Sequence, residues 1–125
     1  MKLDHICIRV SNLSDSIDFY QKAFGCEELS VDDFPEYKFT LVFLSFPNSE
    51  IKIELTYNYD HKNYDLGDGY GHIGLKVNNI QELHARHLSF GLEITDIKNF
   101  NGASDYYFLQ DPDGYKIEVV SIPQI

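Results

Sequence analysis

Alternating apolar and polar residues mark four predicted strands in this chain. Isoleucine, leucine, valine or tyrosine occupies every second position in residues 4–10, 51–56, 72–77 and 115–120. Because side chains alternate between the two faces of a strand, each of these strands has an apolar face and a second, more polar face. The pattern therefore predicts sheets that bury one face and leave the other available for chemistry.

Two predicted helices lie between these strands. The first runs from Ser14, the predicted N-cap, to a stop at Gly25. The second opens with Asn79 and Glu82, an asparagine version of the capping box, and ends before Gly91. In the first stretch Ile17, Tyr20 and Phe24 lie on one side, which is typical of an amphipathic helix.

The chain also repeats itself. Residues 4–13, DHICIRVSNL, resemble residues 71–80, GHIGLKVNNI. The repeat aligns His5 with His72, an offset of 67 residues (72 − 5). Such internal similarity indicates two copies of one structural unit.

The later part of each copy repeats as well. Residues 43–55, FLSFPNSEIKIEL, resemble residues 108–119, FLQDPDGYKIEV, and one gap aligns Glu54 with Glu118. Each copy therefore has a histidine near its start and a glutamate near its end.

The order of elements predicts an α+β fold. We expect a single domain over residues 1–125, built from two βαβββ modules of about residues 1–58 and 69–121. The helices cover the apolar sheet faces, and the polar faces form a cleft.

Four residues on the polar strand faces can bind a metal ion: His5, Glu54, His72 and Glu118. Two imidazoles and two carboxylates suit Ni²⁺, Co²⁺, Mn²⁺, Fe²⁺ or Zn²⁺, contain too much nitrogen for Ca²⁺ and lack the thiolates of structural zinc. A single histidine or glutamate on a strand is more often a solvated surface residue. Recurrence at matching places in two repeats favours a metal site.

Composition narrows the range of partners. The net charge is −10, from 20 acidic and 10 basic side chains, which disfavours nucleic acid and anionic lipid surfaces. The chain has only two cysteines and no apolar run of membrane-spanning length, and its first residues lack the pattern of a secretory signal. A cytoplasmic location is the expectation.

The candidate ligands lie in stretches that resemble bacterial-type glyoxalase I, a member of the vicinal oxygen chelate superfamily. The resemblance covers essentially the whole chain and is carried by DHICIRVSNLSDSIDFYQKAFG, PEYKFTLVFL, IELTYN, YGHIGLKV and FLQDPDGYKIEVV. DPDG and YGHI indicate the superfamily, whereas IELTYN together with PEYK is more specific to glyoxalase I. The family's metal-ligand positions fall on His5, Glu54, His72 and Glu118.

The resemblance implies a reaction and a cofactor. The hemithioacetal of methylglyoxal and glutathione is isomerised to lactoylglutathione through a cis-enediolate, with Glu118 as the general base and Glu54 as its partner. One divalent ion per site is implied, with Ni²⁺ or Co²⁺ favoured and Zn²⁺, Mn²⁺ or Fe²⁺ possible. The family is homodimeric, and each site takes His5 and Glu54 from one chain and His72 and Glu118 from the other.

The resemblance is weaker at the positions that bind the thiol. Arg9 and Asn58 match residues that hold the γ-glutamyl end of glutathione. Asp68 stands where longer relatives have an arginine, and Lys98 is the only cation in the loop at residues 98–105, KNFNGASD. The substrate thiol is therefore glutathione or another low-molecular-weight thiol.

Other residues have simpler predicted roles. Phe100 and Tyr57 are placed to touch a substrate, whereas His84 and His87 are expected on an exposed helix face.

Two alternative functions follow from the same superfamily. Another metalloenzyme reaction, epimerisation or thiol transfer, uses a similar centre, whereas Glu54 as a fourth ligand argues against a dioxygenase. A ligand-sequestering protein of the bleomycin-resistance type needs no metal and has no need for matched histidines and glutamates.

Overall fold

Each repeat of the sequence folds as a four-stranded sheet with one helix. The computed structural model describes residues 1–99 and 102–122. The chain divides into two units, Met1–Asp65 and Leu66–Ile125. The predicted α+β class is confirmed, and each unit has the predicted element order βαβββ.

The first unit brings β1 and β4 together as neighbours. Its elements are β1 (His5–Arg9), α1 (Leu13–Phe24), β2 (Glu27–Phe34), β3 (Phe39–Ser45) and β4 (Lys52–Asn58). The strand order is β1-β4-β3-β2, with β1 parallel to β4 and the other pairs antiparallel. The two strands that carry His5 and Glu54 therefore lie side by side.

The second unit repeats this arrangement. Its elements are β5 (Ile73–Val77), α2 (Ile80–Ser89), β6 (Lys98–Asn99), β7 (Asp105–Gln110) and β8 (Lys116–Ser121). The strand order is β5-β8-β7-β6, and β5 is parallel to β8. His72 directly precedes β5 and Glu118 lies on β8, so the second pair of candidate ligands is again on neighbouring strands.

Each sheet buries the face opposite its candidate ligands. On β3 and β4 the buried residues occupy every second position, as the alternation predicts. Each fully buried aliphatic side chain contributes about 1.5–3 kcal/mol to stability. The buried apolar residues on the strands are Ile8, Val42, Leu44, Ile53 and Leu55 in the first unit and Tyr107, Leu109, Ile117 and Val119 in the second, and Val10 is buried directly after β1.

The N-cap of the first helix lies two residues before the predicted one. Ser14 is not the N-cap, because Asn12 takes that position and its side-chain oxygen accepts a hydrogen bond from the Asp15 amide at 3.0 Å. Asn12 has the extended backbone that a cap requires (φ −145°, ψ 108°). The predicted stop is confirmed, since Gly25 adopts the left-handed conformation at φ 69°.

The second helix has the predicted cap. The Asn79 side chain accepts a hydrogen bond from the Glu82 amide at 3.1 Å and donates one to the Glu82 carboxylate at 3.1 Å. The first bond satisfies one backbone N–H of the first turn of α2, and the second joins the two side chains. Within residues 1–99 and 102–122, neither helix is long and apolar enough to cross a membrane.

His87 is buried, and its predicted place on an exposed helix face is wrong. The side chain has no exposed surface, and its Nδ1 atom lies 2.9 Å from the hydroxyl of Tyr107, which is also fully buried. A buried imidazole is tolerated because this hydrogen bond replaces water. His84 is half-buried, and its Nε2 atom lies 2.9 Å from the Thr95 carbonyl oxygen.

Candidate functional site

The first unit holds one histidine and one glutamate on adjacent strands. Cys7 on β1 is paired with Glu54 on β4, so His5, two residues before Cys7, projects from the same sheet face. His5 Nε2 lies 3.8 Å from Glu54 Oε2. The ring of Phe43, from β3, meets the His5 ring edge-on with centroids 5.3 Å apart.

The second unit reproduces this arrangement in detail. Gly74 on β5 is paired with Glu118 on β8, and His72 lies two residues before Gly74. His72 Nε2 lies 3.7 Å from Glu118 Oε1. Phe108, from β7, meets the His72 ring edge-on with centroids 5.3 Å apart. We call His5 with Glu54 the first half-site and His72 with Glu118 the second half-site.

The spacing within each half-site fits a shared metal ion. Histidine nitrogens and carboxylate oxygens bind divalent transition metals at roughly 2.0–2.2 Å, so two ligands of one ion lie no more than about 4.2–4.4 Å apart. The separations of 3.8 and 3.7 Å are within this limit. Neither glutamate is fully exposed, since their side chains retain 15% and 24% of their accessible surface.

Each half-site contains two candidate ligands. The described part of the chain contains no group of three or more histidine, cysteine, aspartate and glutamate side chains arranged to hold a metal. The structure thus brings together the predicted ligands as two pairs. A centre with all four ligands stays a prediction.

Asp4 orients the histidine of the first half-site. Its Oδ2 atom lies 2.7 Å from His5 Nδ1, while its Oδ1 atom accepts a hydrogen bond from Lys52 Nζ at 2.9 Å. The hydrogen bond to His5 and then the contact with Lys52 lower the pKa of Asp4 from its ordinary value. Because a carboxylate only accepts hydrogen bonds, the proton of a neutral His5 is on Nδ1 and the lone pair is on Nε2, which faces Glu54.

Thr56 orients the glutamate of the first half-site. Its hydroxyl donates a hydrogen bond to Glu54 Oε1 at 3.2 Å, and its oxygen lies 3.2 Å from Cys7 Sγ. Partial burial is the main cause that raises the pKa of Cys7, and Glu54 adds to the rise. Because the single hydroxyl proton of Thr56 is donated to Glu54, the Cys7 thiol is the hydrogen-bond donor in its contact with Thr56, which gives a relay of two hydrogen bonds from Cys7 through Thr56 to Glu54.

Sequence reasoning did not assign roles to Asp4 and Thr56. Strand alternation places Thr56 two residues after Glu54 on the same sheet face. This position was the feature of the sequence that could have indicated a contact between them. Asp4 precedes His5 and lies before β1, where alternation says little about its direction. A search for hydrogen-bonding residues next to each predicted ligand would have found both.

The predicted thiol-binding residues lie on the same sheet face as the first half-site. Arg9 is exposed and is paired with Thr56, and Asn58 follows two residues after Thr56 on β4. Asn58 Nδ2 donates a hydrogen bond to the Tyr64 hydroxyl at 3.2 Å. The ring of Tyr64 stacks on His61 with centroids 4.2 Å apart. The segment after β4 that contains these two residues therefore contacts the end of β4 through the bond between Asn58 and Tyr64.

An open hollow of about 390 Å³ adjoins Glu118 in the second unit. Its wall is largely apolar and combines the ends of β7 and β8 with the loop before β7. The lining residues are Ala103, Ser104, Tyr106, Phe108, Glu118 and Val120. Phe100, which was predicted to touch a substrate, lies outside the described residues.

Comparison with known proteins gives consistent matches. A family model described as the Glyoxalase/Bleomycin resistance protein/Dioxygenase superfamily matches residues 2–119. Lactoylglutathione lyase of Escherichia coli O157:H7 is 40% identical over 126 aligned residues, which cover 96% of this chain and 92% of the relative. The lactoylglutathione lyase of Neisseria meningitidis serogroup B is also 40% identical, with 96% and 90% covered.

Solved structures agree with these matches. The trypanothione-dependent glyoxalase I of Leishmania major matches with a TM-score of 0.83 and 38% identity, over 97% of this chain and 86% of that one. Glyoxalase I of Zea mays matches with a TM-score of 0.89 and 34% identity, over 98% of this chain and 45% of that one.

Proposed function

The chain belongs to the Glyoxalase/Bleomycin resistance protein/Dioxygenase superfamily, and we propose that it acts there as a metal-dependent glyoxalase I. It isomerises the hemithioacetal of methylglyoxal and a thiol to the S-lactoyl thioester, which makes it a lactoylglutathione lyase-like carbon–sulfur lyase. The single observation that carries this function is the matched histidine–glutamate pair in both units, in a chain 40% identical to lactoylglutathione lyases.

The proposed centre joins the two half-sites around one divalent ion. His5 and Glu54 of one protomer and His72 and Glu118 of a second protomer supply the four ligands, so each homodimer has two centres. Ni²⁺ or Co²⁺ is the first choice, and Zn²⁺, Mn²⁺ and Fe²⁺ also suit these donors. The spacing in each half-site supports the proposal because it fits one shared ion.

The reaction moves a carbon-bound proton to the neighbouring carbon. It leaves the carbon that bears sulfur and hydroxyl and returns to the former ketone carbon, while the hydroxyl proton passes to the ketone oxygen. A bound divalent ion polarises the two substrate oxygens and so acidifies the carbon proton. Glu118 takes this proton and Glu54 is its partner for the return, as general base and acid. The open hollow beside Glu118 supports this role because it leaves one side of the carboxylate accessible.

The thiol part of the substrate binds near Arg9 and Asn58. Both residues lie on the ligand face of the first unit, and Arg9 places a positive charge there in a chain of net charge −10. Glutathione and trypanothione are both candidates, since the relatives include lactoylglutathione lyases and a trypanothione-dependent enzyme. A cytoplasmic location remains the expectation from the sequence.

Replacing Arg9 with alanine is expected to raise KM with little change in kcat. The guanidinium binds the anionic thiol conjugate equally in the ground state and the transition state, so its loss removes uniform binding. Steady-state kinetics at several hemithioacetal concentrations measure the change. Lys22→Ala removes the same charge from helix α1 and should leave KM unchanged. A fall in kcat at constant KM for Arg9→Ala would contradict this role.

The function itself is tested by metal reconstitution. Protein stripped of metal is loaded with Ni²⁺, Co²⁺ or Zn²⁺ and mixed with methylglyoxal and glutathione, trypanothione or another low-molecular-weight thiol. Thioester absorbance should rise only when metal, thiol and methylglyoxal are all present, and a chelator should abolish the rise. Metal-loaded protein that forms no thioester with any thiol would favour a different superfamily reaction.

A further inference from the structure

The two half-sites match in their ligands but differ in the residues that surround them. At the position before the histidine, the first unit has Asp4 and the second has Gly71. Asp4 accepts the 2.7 Å hydrogen bond from His5 Nδ1, whereas Gly71 has no side chain with which to hold His72. The repeat therefore provides an internal comparison in which, within residues 1–99 and 102–122, a carboxylate of the preceding residue orients His5 and not His72.

The glutamates differ in the same way. Thr56, two residues after Glu54, donates a hydrogen bond to it, whereas Val120, two residues after Glu118, has no donor. The strand neighbour of Glu54 is Cys7, which continues the relay through Thr56, and the strand neighbour of Glu118 is Gly74. Among the residues that the structure describes, the polar contact of Glu118 is with His72.

We propose that the first half-site is a preorganised metal anchor, in which Asp4 and Thr56 are positioning residues for His5 and Glu54, whereas the described residues give the second half-site no such support. The inference rests on the proposed function and extends it. It assigns different roles in metal binding to two pairs of ligands that are chemically the same.

The physical basis is the cost of orienting a ligand. A side chain already held in its binding geometry loses less conformational freedom when metal binds, and removing such a supporting partner typically weakens metal affinity 10-fold to 100-fold. The hydrogen bond from the Thr56 hydroxyl restricts the rotation of Glu54. The residues at the matching positions around Glu118 are Gly74 and Val120, whose side chains offer no hydrogen-bond donor.

The test measures binding of Co²⁺ alone to the dimeric protein, by competition with a chromophoric chelator. Thr56→Val keeps the shape of the side chain but loses the hydroxyl, and Asp4→Ala removes the histidine partner. Each should weaken Co²⁺ affinity about tenfold. Thr56→Ser should restore affinity because it keeps the donor, and Gly71→Ala, the matched substitution before His72, should leave affinity unchanged. Thermal unfolding of each metal-free variant should match that of the parent protein.

A second measurement compares the two glutamates directly. Glu54→Gln should weaken Co²⁺ affinity more than Glu118→Gln, because the first half-site is the anchor. Equal losses of Co²⁺ affinity in the two glutamine variants would overturn the inference. Parental affinity in both Thr56→Val and Asp4→Ala would also overturn it, and so would an equal loss of affinity in Thr56→Val and Thr56→Ser. If the parent protein itself fails to bind divalent metal, the proposed function fails, and this outcome is distinct from any of those three.

Discussion

Glu118→Gln is expected to lower kcat by about 10²-fold to 10⁴-fold, which is the usual cost of removing a general base. Glutamine has nearly the same shape as glutamate and keeps an oxygen that can bind metal, but it cannot accept the carbon proton. The fold should be unchanged, because the Glu118 side chain lies on the partly exposed face of β8 and its described polar contact is with His72 alone. The retained oxygen should also preserve much of the metal affinity.

The measurement is kcat at saturating metal, with the metal content of each preparation determined separately. This precaution separates loss of the base from loss of the ion. Glu54→Gln is the matched substitution in the other half-site, and once loaded with metal it should lose less activity because Glu54 mainly anchors the ion. If Glu118→Gln retains metal and turns over hemithioacetal at the parental rate, Glu118 is not the base.

Replacing either ligand histidine with alanine should abolish metal binding at limiting metal concentration. His5 and His72 each supply one nitrogen ligand, and losing a ligand should cost more than the roughly 10-fold to 100-fold cost of losing a partner that only orients it. Activity should fall together with metal content. The measurement is bound metal per protomer after dialysis, together with thioester formation.

His84→Ala provides the control for this experiment. His84 is also a partly accessible histidine, but its described hydrogen bond is with the Thr95 carbonyl oxygen and it lies on α2. Its loss should change neither metal content nor activity. A protein that keeps its metal after both His5→Ala and His72→Ala would show that the ion binds elsewhere.

The strand pattern and the repeat together predicted the strands that position the candidate ligands and the sheet faces on which they lie. Alternation identified β1, β4, β5 and β8 as strands, and the repeat aligned His5 with His72 and Glu54 with Glu118. This prediction succeeded because side chains alternate between the two faces of a strand. Once the face of one residue is known, the faces of its neighbours follow. The parallel pairing of β1 with β4 and of β5 with β8 confirmed that the repeat was structural.

Features that depend on hydrogen bonds between distant parts of the chain were harder to predict. The burial of His87 follows from the hydroxyl of Tyr107, which is 20 residues away in sequence. Local composition shows only a polar residue on a helix and not the partner that satisfies it. The N-cap of α1 was misplaced for a related reason, since Asn12 and Ser14 are both good cap residues and only the backbone conformation distinguishes them.

The asymmetry between the half-sites was likewise hidden by their similarity. The aligned repeats share their histidines and glutamates. They differ at Asp4 and Gly71 and at Thr56 and Val120, and the sequence alone assigned these differences no role. Their meaning appeared only when the structure placed Asp4 and Thr56 in contact with ligands.

The central claim is that one catalytic centre combines the first half-site of one protomer with the second half-site of another. Two double variants test it: His5→Ala with Glu54→Ala, and His72→Ala with Glu118→Ala. Each should be inactive by itself, because every centre in either homodimer lacks two ligands. When the two are produced together in equal amounts, half of the dimers should be mixed, and each mixed dimer should contain one intact centre and one without ligands. The account predicts that the mixture recovers about a quarter of the parental metal content and thioester-forming activity. Mixed dimers that bind no metal and form no thioester would contradict it.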